Sequence, residues 1–285
     1  MTVQTLYKPT SPNDVLVTIN FVKNSKNIPT IASKFDIFVA DYSVKKPIII
    51  DTAEAVAVGP DENGKYKDFD EDMLLDHVVF DQKDISTSIN VTGLVENNSP
   101  FNLVDEAKER LPYRFYRKAQ SEVFGKGNAD GDNGLFQSIP DYNDAKKKVA
   151  GLKIATFSDV TEMFSDYAKT NGSLNGAILV VDTLAKAIAL GPDVFKGMQG
   201  VEGISGTAHG VPVMVENMNG KADMILMNPL AYGMSVDRET IEAFEINKAQ
   251  DTEIGKKDFK FIYSEVSADG KVLNPLGIKI YKAGA

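Results

Sequence analysis

The chain has no cysteine, no tryptophan and only two histidines among its 285 residues. Without cysteine it can form neither a disulfide nor a thiolate metal site, which fits a reducing compartment. Without tryptophan it lacks a large flat side chain for stacking on sugars. His77 and His209 stand far apart in sequence, with no carboxylate spacing around either, so each is read as structural. Long apolar runs are also missing. No stretch approaches the roughly 20 residues of a membrane span, and the start "MTVQTLYKPTSPND" lacks the charged opening and apolar centre of a signal peptide. The expectation is a soluble protein made inside a cell, with no membrane partner. A basic excess is absent too. The net charge is −9 and no Lys/Arg cluster exceeds the "AKKK" at 145–148, which argues against a dedicated nucleic-acid surface.

What is present suffices for a large core: 43% of the chain is apolar and 25% is charged, enough for one large domain or two modest ones. The first thirty residues are rich in Asn, Thr, Ser and Pro around one alternating apolar patch at 15–22, and read as an extended arm. Two β-like runs follow, "FDIFVADY" and "PIIIDTAEAVAV", and the chain returns through "HVVFDQ" and "ISTSINVTGLV". Residues 45–85 therefore read as a long protruding hairpin, with "DEDMLL" in the return limb able to form a short helical turn. Its tip carries "VAVGPDENGKY", in which Gly59, Gly64 and Lys65 match the spacing of a nucleotide-binding P-loop. The next residue is Tyr66, whose ring keeps its hydroxyl from a Mg2+ held against the backbone, and Asp61 and Glu62 would repel phosphate. Gly59-Pro60 and Asn63-Gly64 instead mark a chain reversal.

A long helix is predicted over 101–127. Phe101, Val104, Ala107, Leu111, Phe115, Ala119 and Val123 form one apolar stripe, Asn102 can cap it, Pro112 should bend it and Gly125 can stop it. The middle third alternates helix and strand. A cap at Thr156 precedes a stripe of Val160, Met163, Phe164 and Tyr167 that stops at Gly172. "GAILVVD" reads as a buried strand, Asp182 as the start of the short helix "TLAKAIAL", and "GVPVMVE", "DMILMN" and "YGMSVDR" as further strands. The last fifty residues read as β, with a turn at Ala268-Asp269-Gly270. This order points to an α+β fold. No internal repeat is legible.

Candidate chemistry fails residue by residue. "GNADGDNG" at 127–134 alternates acids like a calcium loop, but Asn133 stands where the sharp-turn glycine belongs and Ile139 where the bidentate glutamate belongs, which leaves an acidic surface loop open to a cation. "GISGT" at 203–207 lacks the final glycine of a nucleophile elbow, and Ser205 has no evident base. Asp237 and Glu239 share a strand face about 6 to 7 Å apart by strand rise, a spacing that glycosidases use, although surface pairing explains them better. No catalytic, cofactor-binding or metal residue is assigned, no cofactor is expected, and the chain is expected to act by shape and contacts as a non-enzyme. The alternative from another class is a carboxylate-dependent hydrolase using Asp237 and Glu239.

The order of parts resembles the major capsid proteins of tailed bacteriophages, with the Hong Kong 97 type of shell fold. The text that carries this is "HGVPVMVENMNGKADMILMNPLAYGMSVDRETIEAFE" followed by "FKFIYSEVSADGKVLNPLGIKIY". It is similar to the family's G-x-P-V strand, its strand ending in an aspartate-arginine pair, and its aromatic strand with a D-G-x-V-x-N-P hairpin. The resemblance implies an N-terminal arm (1–30), the start of a peripheral domain (31–44) and an extended hairpin loop (45–85). It then implies a peripheral domain with a spine helix (86–140), an axial domain (141–238) and returning strands (239–285). It further implies self-assembly as hexamers and pentamers into an icosahedral shell around double-stranded DNA. The expected location is the virion, after assembly in the host cytoplasm, with a portal protein and a separate scaffolding protein as partners. DNA contact is expected to be weak and non-specific, since an acidic wall does not hold phosphate. Like-charged subunits repel, so screening salt should favour assembly. Some relatives join Lys to Asn between subunits; Lys65 and Lys67 lie near the hairpin, but no acceptor is identifiable. An encapsulin-type compartment shell is the alternative within the same fold.

Overall fold

Continuous apolar runs become the central strands of this protein, and runs that mix apolar with charged residues its ribbon. The computed structural model describes residues 16–20, 31–40, 43–51, 73–92, 113–131, 136–142, 154–197, 204–237, 240–246 and 259–284. In chain order the first strands are β1 (Leu16–Asn20), β2 (Asp36–Val39), β3 (Ser43–Asp51), β4 (Met73–Asp81) and β5 (Lys83–Thr92). Helix α1 covers 113–121 and runs into a π turn, Glu122–Lys126. There follow β6 (Thr156–Phe157), α2 (Val160–Asn171), β7 (Ile178–Val181), α3 (Leu184–Ile188), β8 (Phe195–Gly197), β9 (Gly206–Ala208) and β10 (Val211–Val215). The last strands are β11 (Met224–Met227), β12 (Tyr232–Val236), β13 (Thr240–Ile246), β14 (Phe259–Val272) and β15 (Ile278–Tyr281).

One sheet runs β6-β15-β11-β7-β10-β9-β8. Its centre, β7, is parallel to β10, antiparallel to β11 and buried at every residue. Side chains alternate along a strand. Thus Ile178 and Val180 enter one core while Leu179 and Val181 enter another, which is why this strand reads as an unbroken apolar run. Helix α2 covers the second core with Met163, Phe164 and Tyr167. Its cap differs from the expected Thr156. Asp159 accepts from the backbone N–H groups of Thr161 (2.6 Å) and Glu162 (3.3 Å), while Thr156 is held in β6 opposite Ile280. Asp182 does not cap α3 either. Its carboxylate accepts from the Met218 amide at 2.8 Å and pairs with Lys186, which also pairs with Asp223.

The other sheet has the order β1-β13-β14-β12-β2, with β5 along the other side of β14. The 14-residue β14 is its axle: β5 follows it over 259–268, while β13 and then β12 occupy its opposite side. Between the two sheets lies the larger core, into which α1 inserts the predicted stripe of Phe115, Ala119 and Val123 together with Tyr116 and Phe124. Gln120 ties this helix to both ends of the core by accepting from the Ile31 amide (2.8 Å) and donating to Glu216 (2.5 Å).

The two sheets exchange strands at a matched pair of turns. Asn228-Pro229-Leu230-Ala231 carries the chain from β11 to β12, and Asn274-Pro275-Leu276-Gly277 carries it back from β14 to β15. In each, the asparagine Oδ1 accepts from the leucine amide at 3.0 Å. The Asn228 amide donates to the Gly277 carbonyl (3.0 Å) and the Asn274 amide to the Ala231 carbonyl (3.1 Å), so each turn closes the other. The two turns share the tripeptide Asn-Pro-Leu and differ in their fourth residue, Ala231 in one and Gly277 in the other.

Three other expectations change. Met73, Leu74 and Leu75 of "DEDMLL" are strand, in β4. Gly125 lies inside the π turn, and the helix ends where the Gly127 amide meets the Glu122 carbonyl at 2.8 Å. Asp269 and Gly270 are not a turn but part of β14. A Cβ at Gly270 would stand 2.4 Å from the Phe136 ring and 2.7 Å from the Tyr232 hydroxyl, so glycine is there for space. The Asn102 cap, the Pro112 bend, the 56–66 stretch, residues 132–135, Arg238 and Glu239 lie outside the described residues. Gly270→Ala is expected to destabilise the protein by about 1–3 kcal/mol through overpacking, read as a lower urea midpoint at unchanged slope.

Candidate functional site

The feature that the body of the protein cannot complete by itself is the β3–β4 ribbon. Its strands pair antiparallel from Ser43 opposite Asp81 to Asp51 opposite Met73. Period two sorts the side chains onto two faces. On the inner face Val44, Ile48, Val78 and Phe80 pack with Phe38 and Leu273, and the Phe80 ring meets Phe38 edge-on at 5.0 Å. Lys46 completes that face, with its ammonium 4.3 Å from the Phe38 ring centroid and paired with Asp36. The outer face opposes Lys45 to Val79 and Pro47 to His77, and leaves Ile49 65% and Val79 45% exposed.

The root of the ribbon is clasped by polar groups. The Asp81 amide donates to Asp269 at 2.8 Å, and the Gln82 side chain donates to the Ala40 carbonyl (2.8 Å) and the Ser235 hydroxyl (2.7 Å). Asp269 is buried and also accepts from the Gly270 amide at 2.7 Å, with the Lys271 ammonium 3.7 Å away. Burial pushes its carboxyl above the ordinary aspartate range, and the Asp81 charge adds to this, against the pull of Lys271 and the two amides.

Behind the clasp a buried seam fixes β14. Gln137 accepts from the Val272 amide (2.8 Å), donates through its side chain to Ala129 (2.7 Å) and through its amide to Gly270 (3.0 Å), and takes the Tyr232 hydroxyl on its carbonyl (2.9 Å). Glu122 accepts from the Phe136 amide at 2.9 Å and pairs with Lys118. Burial first, then the charges of Asp269 and Glu122, hold the Tyr232 hydroxyl protonated well above the usual tyrosine range.

Of the other motifs weighed in the sequence, only parts fall among the described residues. In the described part of the acidic loop, Lys271 donates to the Asp130 carbonyl, while Lys221 donates to the Gly127 carbonyl at 3.0 Å and pairs with Asp141. Lysine ammoniums thus hold oxygens of the kind that a bound cation would take. Among the described residues no group of three or more His, Asp or Glu is placed to hold a metal. His77 is on the exposed face of β4, whereas His209 sits in the β9–β10 turn with its ring edge-on to Phe164 at 5.0 Å. The Ser205 amide bonds the Val213 carbonyl (2.8 Å), and the Asp237 amide bonds Ser267 (2.8 Å), both as strand neighbours. Gln82, Ser235 and Asp269 were missed in the sequence, because their partners stand 42, 153 and 188 residues away.

The model of the phage capsid family matches residues 26–283. Among solved structures the chain is similar to the capsid of a native GTA particle, with a TM-score of 0.57 at 10% identity over 98% of this chain and 96% of that one. It is similar to a chain of Microbacterium phage Oxtober96 (TM-score 0.57, 11% identity, 99% and 95% covered) and to one of Mycobacterium phage Adephagia (0.53, 12%, 90% and 90%). At such identity these likenesses show a shared fold. No curated protein matches. Neither the hydrolase nor the encapsulin reading gains support from these matches.

The clasp has a pH signature. A buried carboxyl whose pKa is raised favours the folded state while protonated, and that contribution is lost as pH rises from the ordinary aspartate range through the raised value. Asp269→Asn keeps an acceptor for the Asp81 amide and removes the titration. Its stability relative to the parent is expected to improve as pH rises from acid to neutral, in urea midpoints taken across that range. Asp269→Ala leaves the Asp81 amide unmatched and is expected to cost about 1–3 kcal/mol.

Proposed function

Because the chain belongs to the phage capsid family, we propose that copies of it close into an icosahedral shell, as hexamers and pentamers, around the double-stranded DNA of a tailed phage. It is a structural major capsid protein, and the observation that supports this mode of assembly is the ribbon. A two-stranded sheet is marginal alone. Here one face is covered by Phe38 and Leu273, while the other shows Ile49 and Val79, and among the described residues the outer edges of β3 and β4 pair with no further strand. An open edge beside an apolar face is completed by another protein surface. A neighbouring copy supplies it.

The remaining parts take their roles from this. Residues 45–85 are the extended hairpin loop, 86–140 the peripheral domain with α1 as the end of its spine helix, and 141–238 the axial domain around β7. Residues 31–44 begin the peripheral domain, and 239–285 return to both sheets. The arm, 1–30, adds β1 to the edge of β13. A portal protein and a separate scaffolding protein are its further partners, and packaged DNA meets the acidic wall by weak, non-specific contact. Assembly takes place in the host cytoplasm and the product is the virion.

Deleting residues 55–70 is expected to leave a chain with the parent's circular dichroism that sediments as a monomer and builds no shells in negative-stain micrographs. Shells of ordinary size from the deleted chain would overturn the role given to the ribbon.

A further inference from the structure

An asparagine followed by glycine is open to attack by its own backbone, because no side chain on the next residue shields the amide nitrogen between them. Five such steps occur in the chain, at Asn63, Asn133, Asn171, Asn175 and Asn219. The first two lie outside the described residues; the other three are exposed and lead into glycines of positive φ, Gly172 (73°), Gly176 (75°) and Gly220 (72°). Two of these three are pinned. Asn171 ends α2, and its side-chain amide donates to the Tyr167 carbonyl (3.1 Å) and, across to the second Asn-Pro-Leu turn, to the Leu276 carbonyl (3.3 Å). Asn219 is itself left-handed, with φ 51°, in a turn closed by its amide on Asn217 Oδ1 (2.8 Å) and by the Lys221 amide on the Met218 carbonyl (3.0 Å). Its side chain stands against the π turn, since a Cβ added at Gly125 would lie 3.1 Å from Asn219 Nδ2. Lys221 then anchors that turn to the Gly127 carbonyl and Asp141.

Asn175 differs from both. It lies in the turn between α2 and β7, where its backbone amide donates to the Ser173 hydroxyl (3.2 Å) and the Ala177 amide donates to the Leu174 carbonyl (3.2 Å). Those bonds shape the turn without using the groups that would react. Among the described residues neither the Asn175 side chain nor the Gly176 amide takes part in a hydrogen bond. The space around them is open as well, for a Cβ added at Gly176 would meet nothing within 4 Å.

We propose that Asn175 is a site of spontaneous covalent modification, at which the turn between α2 and β7 loses an amide and gains a carboxylate. The Gly176 amide nitrogen attacks Asn175 Cγ; that bond forms as the Cγ–Nδ2 bond breaks, and the proton of the attacking nitrogen leaves with Nδ2 as ammonia. Water then opens the five-membered imide at either carbonyl. One opening gives aspartate, and the other gives isoaspartate, in which the backbone runs through the former side chain. Nothing is oxidised or reduced, and water is the one co-reactant. Asparagine is among the residues that limit a protein's chemical lifetime, and here the fold selects which asparagine fails first. Each event adds a negative charge to a copy whose net charge is already −9. In a closed shell of such copies the added charge would raise their mutual repulsion with age.

The test is a time course on the full chain in mildly alkaline buffer, followed by peptide mass mapping. Acid is expected to replace amide at Asn175 several-fold faster than at Asn171 or Asn219. It should appear as two products of equal mass that separate by chromatography, one of which accepts a methyl group from an isoaspartyl methyltransferase. In denaturant the three rates are expected to converge. Equal rates in the folded chain, or a faster Asn171 or Asn219, would overturn the proposal. A lead for Asn175 that persists in denaturant would overturn it too, by assigning the difference to neighbouring residues instead of the turn. Aspartate without isoaspartate would mean direct hydrolysis, which removes the ring step. The rates are read on the folded chain whether or not it builds shells, so this test and the 55–70 deletion succeed or fail separately.

Discussion

A two-stranded ribbon presents one more face than the body beneath it can cover, and much of the structure around β3 and β4 answers to that constraint. The inner face is a small apolar layer set against Phe38 and Leu273. Alone that layer would let the ribbon swing, since apolar contact has little directionality. Direction comes from the root, where Asp269 and Gln82 fix backbone groups at three points: the Asp81 amide, the Ala40 carbonyl and, through Ser235, strand β12. Burying the Asp269 carboxylate costs solvation energy, which two amides and the nearby Lys271 only partly offset, as the upward shift of its pKa records. The fold thus tolerates a strained charge at the point where the ribbon leaves the body.

That clasp is only as firm as the strand behind it. Asp269 sits on β14, which touches β5, β13 and β12 and passes through the second Asn-Pro-Leu turn into the other sheet. The paired turns leave few backbone groups to water: each asparagine caps its own turn, and each turn's first amide is accepted by the other's last carbonyl. A load on the ribbon root is therefore carried into both sheets and, through Gln137 and Tyr232, to the loop after α1.

How much of this was legible depends on the range over which each feature is decided. The buried strands β7, β10 and β11 and the stripe of α2 are local, since apolar residues at the right period identify them whatever their partners. The α2 cap is not fully local. Thr156 and Asp159 both precede the stripe, and only the pairing of Thr156 with Ile280 settles the choice. Asp269-Gly270 reads as a turn by composition, yet the glycine is required by Phe136 and Tyr232, which arrive from elsewhere in the chain. The two Asn-Pro-Leu tripeptides are visible as text, but their meaning lies in bonds between the turns that contain them. Of the ribbon's site, the strands and the apolar faces were legible and the clasp was not, because no local spacing links Gln82 to Ser235 or Asp81 to Asp269.

Charge inside one copy and charge between copies answer differently to salt. Lysines serve as internal counter-charges: Lys186 joins Asp182 to Asp223, Lys221 and Lys271 hold the acidic loop, and Lys279 pairs with Asp166 from a buried position. Such half-buried pairs are screened weakly by salt. The mutual repulsion of copies with net charge −9 is open to it. Ionic strength can therefore change how strongly copies repel without loosening the subunit itself, because the charges that hold each copy together are not the ones that set that repulsion.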